Sequence, residues 1–201
     1  MVWFVQAFIT GITAFVATNI DDIVVLMLFF SQVNANFRTR HIVTGQYLGF
    51  CVLLAASLPG YFGGLVLPHQ WIRVLGILPI AVGIHHLLQR DEDESDIQTV
   101  ALQENRSRSL GGFLAPQTYQ VAAVTVANGG DNIGIYVPLF ADSRFAELGV
   151  LLGVFFAMIG LWCGVAYWLA RHPAIAPLVT RYGHKIVPFV LIGLGILILL
   201  G

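Results

Sequence analysis

The sequence has few charged residues: only 10% of its 201 residues are Asp, Glu, Lys or Arg. Soluble domains carry about 25% charge. Hydrophobic residues make up 57% of the chain, and the mean hydropathy is +0.80. A soluble protein of this composition would expose a large apolar surface to water. The composition therefore predicts an integral membrane protein, and the net charge of −1 argues against nucleic acid as a partner.

Cysteine and catalytic motifs are also scarce. The only two cysteines, Cys51 and Cys163, lie in apolar runs, so we expect small apolar packing residues and no disulfide framework. The sequence has no His-Glu-x-x-His motif, no Ser-His pair and no Cys-x-x-Cys motif. We therefore expect no enzymatic activity and no resident cofactor.

Long apolar runs are abundant. A membrane helix needs about 20 apolar residues, and the N-terminus lacks the positive start of a signal peptide, so it is counted as the first span. In the last connection, Pro173 and Pro177 are expected to break any helix. The prediction is an all-α integral membrane protein with six transmembrane helices near residues 3–33, 41–66, 71–89, 115–141, 147–170 and 184–201.

The two halves of the chain resemble each other. With a shift of 110 residues, VATNIDDIVV (16–25) aligns with VANGGDNIGI (126–135). Three spans per half give the halves opposite orientations, which is the inverted-repeat plan of many secondary transporters, with the substrate site at the repeat interface near the midplane. The predicted organisation is one transmembrane domain: a first three-helix repeat (1–90), an acidic cytoplasmic linker (91–110) and a second three-helix repeat (111–201).

Positive charges indicate the orientation. If the connections after the first, third and fifth spans are cytoplasmic, that side carries eight of the ten Lys and Arg residues, which is a clear positive-inside bias. We expect a multi-pass protein of the inner (plasma) membrane with both termini outside. The cytoplasmic set is Arg38, Arg40, Arg90, Arg106, Arg108, Arg171, Arg181 and Lys185, and the opposite side has Arg73 and Arg144.

The linker concentrates acidic residues, with six of the eleven in the chain. Such a polar segment is typical of a solvated, partly disordered loop. A metal-sensing tail is the alternative. The six are Asp91, Glu92, Asp93, Glu94, Asp96 and Glu104.

The first and fourth spans are predicted to break near the midplane. Residues 3–33 would form a helix of roughly 46 Å at 1.5 Å per residue, whereas the hydrocarbon core is about 30 Å thick. Polar residues crowd the centre of this span at 18–22, and a glycine pair that can unwind a helix lies at the matching depth of the fourth span, 128–132. Unwound backbone at this depth must line a cavity or be buried in protein.

Three carboxylates lie at these breaks: Asp21, Asp22 and Asp131. Each charged Asp costs about 2.5–3.5 kcal/mol at the centre of a membrane helix, and a divalent cation would offset this cost and the repulsion between neighbours. A buried cluster of protonated Asp side chains that joins two helices is the alternative. The predicted metal ligands, including neutral oxygens, are Thr18, Asn19, Asp21, Asp22, Asn128, Asp131 and Asn132.

A polar stripe runs along the first helix toward this site. Gln6, Thr10 and Thr13 have the spacing i, i+4, i+7 and share one face. They could line a wet access path or make interhelical hydrogen bonds. Gln46 in the second span is a weaker candidate ligand.

The segments ATNIDDIVVL (17–26) and ANGGDNIGIYVPLFA (127–141) resemble the cadmium-resistance transporter family (CadD type) of the LysE superfamily. The resemblance covers nearly the whole chain outside about 91–110. It implies an efflux-type cation transporter with an inverted three-plus-three helix fold that exports cadmium. It also implies functional roles for Asn19, Asp21 and Asp22 in the first motif and for Asn128, Asp131 and Asn132 in the second.

The donor chemistry leaves the transported ion open. Carboxylate and amide oxygens suit manganese, magnesium or calcium better than cadmium, which prefers thiolate. Cadmium is close to calcium in size, so an oxygen cage could take both; manganese and zinc are alternatives as substrates. An amino-acid exporter and a non-transporting membrane assembly factor are the rival functions. We expect a monomer or a homodimer.

Overall fold

The computed structural model describes residues 2–66, 68–88, 115–172 and 176–200, and all structural statements below concern these residues. They form α-helices and no β-strand, which confirms the all-α class. The predicted linker, 91–110, lies outside the described residues. In chain order the helices are α1 (Val2–Asn19), α2 (Asp22–Ser31), α3 (Thr39–Val66), α4 (His69–Val74), α5 (Ile77–Leu88), α6 (Pro116–Asn128), α7 (Gly130–Ala141), α8 (Phe145–Ala170) and α9 (Ala176–Leu200).

Three of these helices, α1, α3 and α8, are long and apolar enough to cross a membrane. Shorter apolar helical segments are α2 and Pro188–Leu200, the C-terminal part of α9. Apolar side chains also cover much of the outer surface; Phe62, Leu197 and Phe145, for example, are more than 60% exposed. This surface is the one expected of helices whose solvent is lipid.

The first and fourth predicted spans are each interrupted, as the sequence predicted. The first divides into α1 and α2, and the fourth divides into α6 and α7. At the end of α1 the side chains of Thr18 and Asn19 bond back to the carbonyls of Ala14 and Phe15. Such side-chain bonds compete with the regular helix ladder, and the chain continues through the tighter bond from the amide of Val24 to the carbonyl of Asp21 (3.0 Å).

Two other predictions need correction. The third predicted span, 71–89, is not one helix, because the chain turns between α4 and α5 at Gly76, whose amide bonds to the carbonyl of Arg73. A Cβ on Gly76 would lie only 2.6 Å from the carbonyl oxygen of Gly195, so the turn allows α9 to approach closely. The sixth helix begins at Ala176, not near 184, and Pro177 does not break it. Proline in the first turn of a helix loses no intrahelical hydrogen bond.

The helices of the two halves pack on each other reciprocally. The interrupted pair α1 and α2 packs mainly against α8, and the interrupted pair α6 and α7 packs mainly against α3. The remaining close pair is α5 with α9. Thus the first element of each half lies against the second element of the other half, and the third elements lie against each other.

Glycines of α3 make its contact with α6 and α7 unusually close. A Cβ on Gly45 or Gly49 would lie 2.6 Å from the Cβ of Val121 or Thr125 on α6. Farther along α3, a Cβ on Gly60 would lie 2.3 Å from the carbonyl oxygen of Val137 on α7. Small residues at such spacing let membrane helices approach each other closely.

Candidate metal site

The predicted site residues lie at the two helix interruptions. Thr18 and Asn19 end α1, Asp22 begins α2, and Asn132 is in the first turn of α7; all four are buried. The other three, Asp21, Asn128 and Asp131, are half-buried. The structure therefore places all seven predicted residues within or beside two non-helical joints. The first joint, residues 20–21, lies between α1 and α2, and the second joint, at Gly129, lies between α6 and α7.

The joints favour negative charge at two points. Asp22 is in the first turn of α2, and Asp131 is in the first turn of α7. The amide end of a helix carries a partial positive charge that stabilises an anion. Both carboxylates therefore lie at helix ends that attract negative charge.

Thr18 and Asn19 form a hydrogen-bonded cluster with Tyr136 of α7. The Thr18 hydroxyl donates to the carbonyl of Ala14 (3.0 Å), so it accepts from the Tyr136 hydroxyl at 2.7 Å. The Asn19 amide nitrogen has three acceptors within hydrogen-bonding distance: the carbonyl of Phe15 (2.8 Å), the Thr18 hydroxyl (2.8 Å) and the Tyr136 oxygen (3.0 Å). The Asn19 side-chain oxygen faces Asn132 in the second joint.

The second joint supplies an unpartnered oxygen. The Asn132 amide nitrogen lies 3.4 Å from the Asn19 side-chain oxygen, which makes the bond between them weak. The Asn132 side-chain oxygen is buried and has no hydrogen-bond partner among the described residues. An unsatisfied buried acceptor costs about 1–3 kcal/mol, and a cation or a water molecule would remove that cost.

A second chain of hydrogen bonds holds Asp22. The Gln46 amide nitrogen of α3 donates to Asp22 Oδ2 (3.3 Å), and the Thr125 hydroxyl of α6 donates to the Gln46 side-chain oxygen (2.7 Å). Gln46 was only a weak candidate ligand from the sequence. Here it orients a candidate ligand, and it connects α2, α3 and α6 through polar groups that are all buried.

The three carboxylates do not form one ligand shell. Within the described ranges, no three Asp, Glu, His or Cys side chains are grouped closely enough to hold a metal ion together. Asp131 Oδ1 accepts instead from the backbone amide of Asn132 (3.0 Å), and Asn128 takes no part in the hydrogen bonds described above.

The sequence did not single out two residues that support the joints, Tyr136 and Trp162. The Trp162 indole of α8 donates to the carbonyl of Asn19 at 2.6 Å, which satisfies one of the carbonyls that the end of α1 leaves free. Tyrosine and tryptophan are typical of the membrane–water interfaces, so their identity alone did not indicate a role at the midplane. Only the position of Tyr136, five residues after Asp131 in an apolar run, hinted at a buried polar role.

A cavity lies at one end of the bundle. Its volume is about 760 Å³, and Gln6 and Thr10 of α1 line it together with Leu139 and Leu151. Two residues of the predicted polar stripe therefore face an open space, as an access path requires, whereas Thr13 is not among the lining residues. The charged side chains at the cavity are Arg73, Asp142, Arg144 and Glu147.

Apolar helices with an acidic, amide-rich site at two helix interruptions define a membrane protein of the transporter class. Among protein-family models, the cadmium resistance transporter family matches residues 15–201. The chain therefore belongs to the cadmium resistance transporter family, as the two motifs had indicated. Comparisons with curated proteins and with solved structures gave no match.

Proposed function

We propose that the protein is a secondary transporter that exports divalent cations of the cadmium type from the cytoplasm by alternating access. The single observation that carries the proposal is that the two joints bury Asp22, Asn19 and Asn132, with the Asn132 amide nitrogen 3.4 Å from the Asn19 oxygen and the Asn132 oxygen unpartnered among the described residues. The side chains of Asp22, Asn19 and Asn132 provide oxygen donors. Burying such polar or charged groups is costly unless a hydrogen bond or a cation compensates for the lost water.

The packing supports an inverted repeat of six spans. In this interpretation α1 with α2, α3, and α4 with α5 form the first repeat, and α6 with α7, α8 and α9 form the second. Reciprocal packing of α8 on the first interrupted helix and of α3 on the second is what a pseudo-two-fold axis between the repeats would produce. Interrupted helices at the repeat interface are the usual location of substrate in such transporters.

The proposed cycle moves the cation between the two faces of the membrane. The cation binds from the cytoplasm to oxygens of Asp21, Asp22 and Asp131, with Thr18, Asn19, Asn128 and Asn132 as further donors. Because the carboxylates do not form one shell as they stand, binding draws the two joints together, and the halves then rock to open the opposite face. Protons that replace the cation on the carboxylates would reset the site; this coupling is a hypothesis based on the acidic cluster alone.

The family description favours cadmium, and the donor chemistry favours a harder ion. Oxygen ligands suit manganese, calcium or magnesium. Transport should therefore be measured with cadmium, manganese, zinc, calcium and magnesium in proteoliposomes, with and without a pH gradient. The same assay with amino acids tests whether the protein is an amino-acid exporter. Equilibrium binding of a cation without transport would favour the membrane assembly factor.

The test of the site is Asp131→Asn, with Asp21→Asn as its counterpart in the first half. An amide keeps the shape and one oxygen of the side chain but removes the charge, and it is cheaper to bury in lipid than a carboxylate. The variants should insert and fold normally. Their metal affinity should fall more than about a hundredfold, since breaking a buried charge pair costs about 3–5 kcal/mol, and transport should be lost with it.

The matched control is Asp96→Asn, the same chemical change in the acidic linker, which should transport like the wild type. Near-normal transport by both Asp131→Asn and Asp21→Asn would show that the carboxylates only join helices. In that case the proposed cation site does not exist.

A further inference from the structure

Four aromatic rings lie between the cavity and the two joints. One comes from each of four helices: Phe15 from α1, Phe50 from α3, Tyr136 from α7 and Phe155 from α8. Their centroids are 4.7 Å apart for Tyr136 and Phe155, 5.4 Å for Phe15 and Phe50, and 6.0 Å for Phe15 and Phe155. All four are at most 1% exposed. We call these four residues the aromatic plug.

Sequence spacing along three of the four helices places their rings just below the cavity. Thr10, Leu139 and Leu151 line the cavity, and Phe15, Tyr136 and Phe155 follow them by five, three and four residues toward the joints. At 1.5 Å per residue, each step is about 4.5–7.5 Å, which is roughly one helical turn. These three rings are therefore the next layer of side chains beneath the cavity, and the Phe50 ring belongs to that layer through its contacts with Phe15 and Tyr136.

The polar joints form the layer beyond the plug. Asn19 is four residues past Phe15, Asp131 is five residues from Tyr136, and Gln46 is four residues from Phe50, all in the direction away from the cavity. A cation that leaves the joints through the cavity must pass this layer. The three phenylalanine rings offer it no oxygen, and the Tyr136 hydroxyl is already bonded to Thr18 and Asn19, so the layer closes the path.

Tyr136 belongs to both layers. Its ring packs in the plug, while its hydroxyl donates to Thr18 and accepts from the Asn19 amide nitrogen. Together with the bonds to Phe15 and Thr18, the second bond keeps the Asn19 amide nitrogen directed away from the second joint. No other ring of the plug has a polar group with which it could bond to the joints.

We propose that the aromatic plug is the gate between the cation site and the cavity, and that the Tyr136 hydroxyl is the positioning group that fastens this gate to Thr18 and Asn19. The gate then closes at the same time as the Asn19 oxygen turns toward the second joint, because the Tyr136 hydroxyl takes part in both. The inference rests on the proposed transport function for its biological meaning, but its test does not require a cation.

Native Cys163 provides the test. It is buried on α8, eight residues beyond Phe155 on the side away from the cavity, and it follows Trp162, which bonds to the carbonyl of Asn19. In a Cys51→Ala background it is the sole thiol. Its reaction with a cationic, membrane-impermeant methanethiosulfonate would be followed in sealed vesicles of both orientations. Phe145→Cys, exposed at the cavity end of α8, identifies the face on which the cavity opens.

From the cavity face, Cys163 should react slowly in the parent and at least tenfold faster in Phe155→Ala. Phe15→Ala serves as a second variant in case the first does not fold. Tyr136→Phe keeps the ring and loses the hydroxyl, so labelling should rise about two- to tenfold, the equivalent of one net hydrogen bond. The matched controls are Phe29→Ala, a buried ring outside the plug, and Tyr47→Phe, whose hydroxyl bonds to the carbonyl of Phe156.

Rapid labelling of the parent from the cavity face would overturn the gate. So would equal labelling of Phe155→Ala, Phe15→Ala and Phe29→Ala. If Tyr136→Phe labels no faster than Tyr47→Phe, the hydroxyl does not fasten the gate. These results are distinguishable from failure of the proposed function, which would appear as unchanged transport in Asp131→Asn while the labelling pattern persists.

Discussion

The joint between α1 and α2 packs against large side chains of α8, whereas the joint between α6 and α7 packs against α3 along a line of glycines. At the first joint, Trp162 reaches across and donates a hydrogen bond to the carbonyl of Asn19. At the second, Gly129 ends α6, and a Cβ there would lie 2.1 Å from a methyl carbon of Leu53. The two joints align in sequence, but different contacts hold them.

The difference shows two ways to keep non-helical backbone inside a membrane protein. One supplies a side-chain donor for a free carbonyl, and the other brings a neighbouring helix so close that water and lipid are excluded. The backbone of Gly129 has φ −86° and ψ 20°, which is open to any residue. Close packing, and not conformational freedom, is therefore why the glycine is needed there.

The largest effect is expected from Gly60→Ala, which disrupts the close contact between α3 and α7, the helix that follows the second joint. The added methyl group would lie 2.3 Å from the carbonyl oxygen of Val137, and a backbone atom cannot turn aside. Overpacking costs typically about 1–3 kcal/mol and sometimes more, and a clash with backbone at this distance puts Gly60→Ala at about 3 kcal/mol or above. The free energy of unfolding in mixed detergent and SDS measures it.

The control for this variant is Gly153→Ala on α8, where an added Cβ has no neighbour within 4 Å in the described structure. It should change the unfolding free energy by less than about 0.5 kcal/mol apart from the higher helix propensity of alanine. Equal losses in both variants would mean that α3 and α7 are not in close contact.

A smaller effect is expected from Trp162→Phe, which removes the hydrogen bond from the indole to the carbonyl of Asn19 at the first joint. The ring can still pack edge-on against Phe15, as the indole does with centroids 5.5 Å apart. The carbonyl of Asn19 would lose its buried donor, at a cost of about 1–3 kcal/mol. Hydrogen exchange of the amides at Ile23 and Val24 should accelerate, because the joint opens more readily.

Trp168→Phe is the comparison, since Trp168 is half exposed on the same helix. It should leave exchange at the joint unchanged. If exchange at Ile23 and Val24 is the same in both variants, the indole of Trp162 does not hold the joint.

The smallest effect is expected from Thr125→Val, which is nearly isosteric. It removes the hydroxyl that donates to Gln46, so the Gln46 amide can turn away from Asp22. A typical net hydrogen bond contributes about 0.5–1.5 kcal/mol, and the affinity for the transported cation should fall by about two- to tenfold. Isothermal titration with cadmium and manganese measures it.

Thr44→Val is the matched variant, an exposed position on the same helix as Gln46. Cation affinity should be unaffected by it. A drop in affinity as large as that of Thr125→Val would indicate a general effect of removing a hydroxyl from the bundle.

The sequence predicted the interruptions because their signals are local. Acidic and amide residues in the middle of apolar runs are costly, and their repetition at a shift of 110 residues marked both joints. The start of α9 was misplaced for a local reason as well, since proline terminates some helices and begins others. The turn at Gly76 depends on the approach of Gly195, which is far away in the chain.

The sequence by itself determined that this chain belongs in a membrane, that it is helical, and that Asp21, Asp22 and Asp131 lie at the interruptions of its first and fourth spans. Composition and spacing along one helix are sufficient for these conclusions. Only the tertiary structure decided that Gln46 and Thr125 orient Asp22, that Trp162 bonds to Asn19, and that Tyr136 joins an aromatic layer to the site. Each of these contacts spans 24 or more residues of the chain, and the packing of α3 and α8 against the joints, not any local pattern, brings the partners together.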